Sequence, residues 1–360
     1  MRNTPAQAGF HMPAEWEAHE GTWLQWPHDH TYPDRQMLLE HIWLAMTKAL
    51  HQHEAVHIVV ADERGRDHLQ QQVAYYGFDE SRLDIHLSPT NDVWARDSGP
   101  IFLVNGRGEL AATDWNFNGW GQRYPYEKDR GVPAGIAERL SIPLFTAPIT
   151  LEGGGIEVNG KGTLLATRSS IINPNRNAGR TQEEIEEALK QYLCIEHFIW
   201  LTGCVGMGDT DMHIDGAARF VDEATVLYSW TDDASHPRYP YFQRHRDELE
   251  KAVTQSGEPL TLVPIPLTEA RVYATGESAT APPFESVPSL GLYANYYVAN
   301  SVVLVPVYGD ANDAEAKSII AEHFPDREII GIHAPLVAEL GGMIHCVTQQ
   351  QPASELQTVS

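Results

Sequence analysis

The chain of 360 residues carries 25 Lys and Arg against 49 Asp and Glu, a formal net charge of −24. This excess argues against nucleic acid or an anionic membrane as partner, because an acidic field concentrates cationic solutes instead. With 42% apolar and 9% aromatic residues the chain can bury a large core, which excludes disorder. Cys194, Cys204 and Cys346 are odd in number and lack a Cys-x-x-Cys pair, which fits a reducing cytoplasm and no structural zinc site. Met1–Pro13 holds no apolar run of the signal-peptide kind, and no stretch reaches the apolar length of a membrane span. A cytoplasmic location and one domain over residues 1–360 are expected, with 1–12 and 353–360 as flexible termini.

In chain order, Asp34 to Gln52 places Met37, Leu38, Ile42, Leu44, Ala45 and Ala49 at helical spacing, ahead of an apolar strand from Ala55. Ile101-Phe-Leu-Val-Asn-Gly-Arg-Gly-Glu-Leu-Ala-Ala-Thr then reads as strand, Asn-Gly turn, strand. The same shape returns at Ile156-Glu-Val-Asn-Gly-Lys-Gly-Thr-Leu-Leu-Ala-Thr. Thr181-Gln-Glu-Glu opens a helix with a capping-box signature, and His197-Phe-Ile-Trp-Leu follows as a strand. Looser hairpins stand at Ala217–Tyr228 and Tyr296–Val307. Residues 237–254 read as helix before a strand from Leu260, and Asn312 is placed to cap a helix through Phe324, followed by a strand from Arg327. The segment around Cys346 forms half of a fifth hairpin, whose partner would be Gly21-Thr-Trp-Leu-Gln-Trp-Pro near the other end of the chain. Units of strand, strand, helix, strand repeated five times, with the chain ends sharing one, predict an α/β fold of radial repetition. A conventional alternating α/β sheet is the second choice.

Chemistry-bearing residues recur just ahead of these hairpins. Asp97 lies in Asn91-Asp-Val-Trp-Ala-Arg-Asp-Ser-Gly-Pro, and Glu152 in Leu151-Glu-Gly-Gly-Gly, whose glycines permit close backbone approach. Asp209, Asp211, His213 and Asp215 alternate in Gly208-Asp-Thr-Asp-Met-His-Ile-Asp-Gly, so on an extended strand they would share one face. A divalent metal is a rival reading of that last cluster. Radial repetition would bring Asp97, Glu152, His213, Asp215 and Cys346 to one centre. A thiol, an imidazole and three carboxylates there suit nucleophilic attack on a cationic carbon, and a planar guanidinium can satisfy two carboxylates at once. His28, His30, His51 and His53 are expected as solvated surface histidines.

The sequence resembles the agmatine deiminase and bacterial-type peptidylarginine deiminase family of the guanidino-group-modifying (pentein) superfamily. The resemblance rests on Met12-Pro-Ala-Glu-Trp-Glu-Ala-His-Glu, Trp94-Ala-Arg-Asp-Ser-Gly-Pro, Trp115-Asn-Phe-Asn-Gly-Trp-Gly, Leu151-Glu-Gly-Gly-Gly, Gly208-Asp-Thr-Asp-Met-His-Ile-Asp and Ile344-His-Cys-Val-Thr-Gln-Gln, spread in order over nearly the whole chain. It implies a five-bladed α/β propeller (pentein fold) of ββαβ units, with no metal and no cofactor. It further implies that Cys346 attacks the guanidinium carbon to form an amidino-cysteine, that Asp97 and Asp215 clamp the guanidinium nitrogens, that His213 moves protons and that Glu152 orients it. Trp94, Trp115, Trp120 and Asp211 are the remaining candidates for substrate contact. One departure is visible: the agmatine-specific pattern has Gly-Gly-Gly-Asn before Ile-His-Cys, where this chain has Leu340-Gly-Gly-Met.

The expected reaction is hydrolysis of agmatine to N-carbamoylputrescine and ammonia. Deimination of arginine or peptidyl-arginine, and amidino transfer to an amine, share the intermediate. Free arginine would demand an arginine for its carboxylate, for which Arg96, Arg123 and Arg219 are candidates. A metal-dependent hydrolase built on Asp209, Asp211, His213 and Asp215, and a non-catalytic polyamine-binding propeller, are alternatives of other classes. The expected partner is a small cationic guanidino compound, with a homo-oligomer allowed.

Overall fold

The computed structural model describes residues 4–269 and 291–354. Its strands form five separate sheets, and each contains an antiparallel pair and a third strand added in parallel. The pairs are Ile101–Asn105 with Leu110–Asp114, Ile156–Val158 with Thr163–Thr167, Ala218–Phe220 with Thr225–Trp230, and Tyr297–Ala299 with Val302–Val307. The fifth pair joins the chain ends: Gln349–Pro352 runs antiparallel to His19–Gln25, with Gln349 opposite Trp23. Between second and third strand of every sheet lies one long helix: Gln36–Leu50, Val132–Leu140, Gln182–Leu193, Tyr239–Leu249 and Asp313–His323. A parallel third strand needs such a crossover, which is why one helix belongs to each sheet.

The sequence cues act in physically identifiable ways. Thr181 Oγ1 accepts from the Glu184 amide while the Glu184 carboxylate accepts from the Thr181 amide, the reciprocal cap expected. In the Asn-Gly loops, positive φ falls on Gly108, Gly160 and Gly162 rather than on the asparagines. Asn105 and Asn159 instead hold the loops through side chains that accept from Arg107 and Lys161 amides.

Several expectations need correction. The helix read over Asp34–Gln52 buries Leu39, Ile42, Trp43, Met46 and Leu50, while Met37 and Leu38 stand 74% and 60% exposed. The helix read as 237–254 ends at Leu249. Asn312 does not cap: its side-chain Nδ2 donates to the Leu267 carbonyl, and the Asp313 carboxylate accepts from the Tyr308, Gly309 and Asp310 backbone amides. The segment expected as a loose N-terminus forms a short strand from residue 10, with Phe10 buried and facing Asn105 across the pair. Residues 1–3 and 355–360 of the expected flexible termini lie outside the described residues. His28 and His51 are buried rather than solvated. Among the described residues no helix is long and apolar enough to cross a membrane.

Candidate active site

Each hairpin is entered through one tight turn, and those turns carry the chemistry. Ala95–Ser98, Gly153–Gly155, Ile214–Gly216 and His345–Val347 are single helical turns that precede the first strand of four hairpins. The remaining hairpin follows a turn in which the Asn295 amide donates to the Leu292 carbonyl. A turn reverses direction at the strand end, so polar side chains can leave the sheet there without breaking its ladder.

Gly154 marks the centre. A Cβ on this glycine would lie 2.8 Å from Asp215 Oδ2, 2.8 Å from His213 Nδ1 and 2.9 Å from Asp97 Oδ1. The glycine is required because three functional groups converge on the volume its side chain would fill. Its amide donates to Asp97 Oδ1 at 3.0 Å, and the Trp120 indole N–H donates to Asp97 Oδ2 at 2.8 Å. Burial nonetheless pushes the Asp97 carboxyl above the ordinary range, with Asp215 and Glu152 adding to the shift and His213 opposing it.

His213 is oriented from behind. Its Nε2 lies 3.1 Å from Glu152 Oε2, and its Nδ1, which has no hydrogen-bond partner, faces the space above Gly154, 3.7 Å from Asp97 Oδ1. Burial works against the imidazolium, but Asp97 and Glu152 outweigh it and raise the pKa. Glu152 in turn accepts from Arg176 Nε at 2.9 Å. Burial alone would raise the Glu152 pKa, yet the His213 hydrogen bond and the Arg176 charge hold it low.

Cys346 sits in the His345–Val347 turn rather than in a strand. Its Sγ is 3.4 Å from Asn295 Oδ1 and 3.7 Å from Asp215 Oδ2. Burial raises the thiol pKa strongly, and the Asp215 and Asp97 charges raise it further. Asp215 is held by His345, whose Nδ1 lies 2.9 Å from Asp215 Oδ2 and whose Nε2 lies 2.8 Å from Glu15 Oε2.

The aromatic and acidic candidates separate. Trp94 borders the nucleophile, since a Cβ on Gly342 would overlap its ring and come within 3.1 Å of Cys346 Cβ. Trp120 contacts Asp97 as above. Trp115 lies apart, in a core with Leu103, Ile149 and Leu189, with its indole N–H donated to Thr113 Oγ1. Asp211 is also not at the centre. One carboxylate oxygen accepts from Arg176 at 2.6 Å and Asn175 at 3.1 Å, the other from Arg123 at 2.9 Å and the Gly206 amide at 2.7 Å. The expected one-faced strand over 209–215 is absent: Asp211 and Met212 take positive φ, so successive side chains diverge. Asp209 meets Tyr124 Oη at 2.9 Å, and the four residues of the metal reading do not converge on one point. Met343 packs with Ala338, Leu292 and Tyr308.

Glu15, Arg176, Asn295 and His345 were not singled out from sequence. Asn295 was reachable, because it stands ahead of the fourth hairpin as Asp97 stands ahead of the first. Arg176 carries no such signal, lying in a short turn, Pro174–Asn177, away from any hairpin.

A partly buried thiol, a buried imidazole and paired carboxylates, carried on the turns of mixed α/β sheets, define a deiminase-type protein. The chain matches the Porphyromonas-type peptidyl-arginine deiminase family over residues 11–352 and belongs to that family. It is 33% identical over 369 residues to an agmatine deiminase of Ectopseudomonas mendocina, covering 99% of both chains. Its identity to an agmatine deiminase of Pseudomonas aeruginosa is 33% over 366 residues, with 98% of each covered. Among solved structures it resembles the Enterococcus faecalis agmatine deiminase, with TM-score 0.87, 30% identity and 98% of both chains covered. It also resembles the C. jejuni agmatine deiminase with substrate bound, with TM-score 0.81, 27% identity, and 96% and 97% covered.

Proposed function

We propose that this protein hydrolyses the guanidino group of agmatine, releasing ammonia and N-carbamoylputrescine. The observation that carries the reading is the convergence of Asp97, Asp215 and His213 on the space above Gly154, with the Cys346 sulfur beside Asp215. Two buried carboxylates facing one small volume call for a cation, and a guanidinium offers donors to both. The full-length resemblance to proteins named agmatine deiminases supports the same substrate.

The steps follow from the positions. The guanidinium lies between Asp97 and Asp215, and its charge offsets those of the carboxylates that disfavour the Cys346 thiolate. The thiolate sulfur bonds to the guanidinium carbon. Protonated His213 gives its proton to one nitrogen, the C–N bond breaks and ammonia leaves, so an amidino-cysteine remains. Neutral His213 then takes a proton from water, the oxygen bonds to carbon, and the C–S bond breaks to regenerate the thiolate, while the hydroxyl proton passes to solvent as the carbonyl of the ureido product forms. Glu152 keeps the imidazole turned so that Nδ1 faces the reacting atoms.

The arginines favour a substrate without a carboxylate. Arg219 is buried against Glu15 and Glu157, and Arg96 against Glu15, Gln350 and the His345 carbonyl. Arg123 is engaged by Asp211 and the Asp209 carbonyl. None of the three is available in this arrangement for the α-carboxylate of free arginine. We infer the five-bladed ring as well, since turns from different sheets meet at Gly154 and the chain ends share a sheet.

The test is a panel of agmatine, free arginine and an arginyl peptide, scored for ammonia and ureido product. Agmatine should exceed both others in kcat/KM by at least about 10²-fold, the range a pocket imposes on an analogue that adds a polar group it does not pair. Preference for arginine or the peptide would overturn the substrate, and ammonia without a ureido product would overturn hydrolysis.

A further inference from the structure

His57, Asp84 and His86 lie on adjacent parallel strands, Ala55–Val60 and Leu83–Leu87, of the sheet that joins the chain ends. Three of their atoms converge. His57 Nδ1 is 3.4 Å from His86 Nε2 and 3.8 Å from Asp84 Oδ2, and His86 Nε2 is 3.3 Å from the same Asp84 oxygen. Ligands about 2.0–2.1 Å from a tetrahedral ion stand about 3.3–3.4 Å apart, so two of the three separations already match the corners of such a site and the third exceeds them by about 0.4 Å. We propose that His57, Asp84 and His86 bind a divalent transition-metal ion of the zinc type, at a site separate from the Cys346 centre.

Further observations support a built site. His57 and His86 are 5% and 8% exposed, so neither is a solvated surface histidine. Behind His57, Glu20 Oε2 lies 3.0 Å from Nε2. A proton held there leaves the Nδ1 lone pair directed into the cluster, the carboxylate–histidine arrangement that fixes a metal-binding tautomer. The Trp23 ring stacks on His57 with centroids 4.4 Å apart and tilts against His86 at 4.6 Å, which limits the motion of both imidazoles. Asp84 uses its other oxygen for Arg139, 3.4 Å away, which leaves Oδ2 to face the two imidazoles. The half-exposed Asp84 leaves a fourth corner open to water. The set of two imidazoles and one carboxylate suits zinc, cobalt or nickel better than calcium or magnesium.

The experiment uses untagged full-length protein carrying Cys346→Ser, so that the active-site thiol cannot contribute. Equilibrium dialysis against zinc should give one ion per chain, and cobalt should show the intense visible bands of four-coordinate geometry. His86→Asn and Asp84→Asn, made separately, should each weaken zinc binding at least about 30-fold. Glu20→Gln should weaken it about 10- to 100-fold, the range for a lost outer partner. Circular dichroism shows whether each variant is folded, and Asp84, being half-exposed, is the substitution least able to disturb the core. Zinc should also raise the melting temperature of the parent but not of either ligand variant. Absence of stoichiometric binding, or binding and thermal shift unchanged in folded His86→Asn and Asp84→Asn proteins, would overturn the proposal.

Discussion

Cys346 combines a strongly raised thiol pKa with two neighbouring carboxylates, Asp215 and Asp97. Neutral and cationic electrophiles should therefore differ. A haloacetamidine brings its own positive charge between Asp97 and Asp215 and should alkylate Cys346 at least about 10-fold faster than iodoacetamide at neutral pH, a difference of about 1.4 kcal/mol. Equal rates, followed by mass spectrometry of the Cys346 peptide, would mean that the substrate charge does not activate the thiol. Asp97 sets a second expectation. The carboxylate form is the one that binds a guanidinium, and its folded pKa is raised by burial and by Asp215 and Glu152. As pH falls through that raised value the carboxylate is protonated, so KM for agmatine should climb at a higher pH than for an ordinary aspartate near about 3.9. The effect on stability has the opposite sign: a pKa raised by folding makes the charged form destabilising, so this group adds stability as pH falls. Asp97→Asn should raise KM and abolish the acid dependence. Gly154→Ala isolates crowding from charge, because its methyl would stand within 2.9 Å of Asp97, His213 and Asp215. We expect kcat/KM to drop at least about 10²-fold, in line with a displacement of about 1 Å among catalytic groups, while circular dichroism stays unchanged.

The short turns ahead of the hairpins are the elements that matter most to the site. They were legible as positions, since Asp97, Glu152, His213, Asp215 and Cys346 recur at equivalent places in the repeat. They were not legible as turns: the alternation of Asp209, Asp211, His213 and Asp215 looks like a strand, and the positive φ of Asp211 and Met212 has no periodic signature. Trp115 and Trp120 stand in one motif, yet one enters the core and the other meets Asp97, a division made by tertiary packing alone. The parallel third strands and their helices were largely visible through capping and apolar spacing. The strand Leu83–Leu87 and the helices Glu63–Tyr76 and Val132–Leu140 lacked a comparable pattern and were not placed. Arg176 shows how a turn outside the repeat supports one within it, bridging Asp211 and Glu152 and through Glu152 orienting His213. As a positioning residue it should influence turnover more than binding. Arg176→Lys keeps the charge but loses the two-pronged geometry. It should lower kcat about 10- to 100-fold, with KM changed less than about threefold. A rise in KM at constant kcat would place Arg176 in substrate binding instead.

At the scale of the whole molecule, Glu15 is the point through which the sheets are tied. One carboxylate oxygen accepts from Arg219 and the Val298 amide, and the other meets His345 and Arg96. Burial would raise its pKa, but the surrounding cations hold it well below the usual range. Since its folded pKa is depressed, its contribution is present above the unfolded pKa and is lost as pH falls through the folded one. Breaking a buried network of this kind by removing one partner destabilises by about 3–5 kcal/mol. Glu15→Gln should therefore lower the urea midpoint substantially, and unfolding curves followed by tryptophan emission would show it. A midpoint within error of the parent would mean that the guanidiniums find other partners.

The pairing of Gln349–Pro352 with His19–Gln25 also has a consequence in time. A ribosome finishes the strand carrying Trp23 and Leu24 early, and more than three hundred residues must follow before its antiparallel neighbour emerges. At about 5–20 residues per second, that apolar edge waits roughly 15–65 s without its partner. Exposed edges of this kind recruit other chains. The nascent protein is thus most vulnerable to self-association during its own synthesis, and the arrival of the segment behind Cys346 both ends that interval and completes the enzyme.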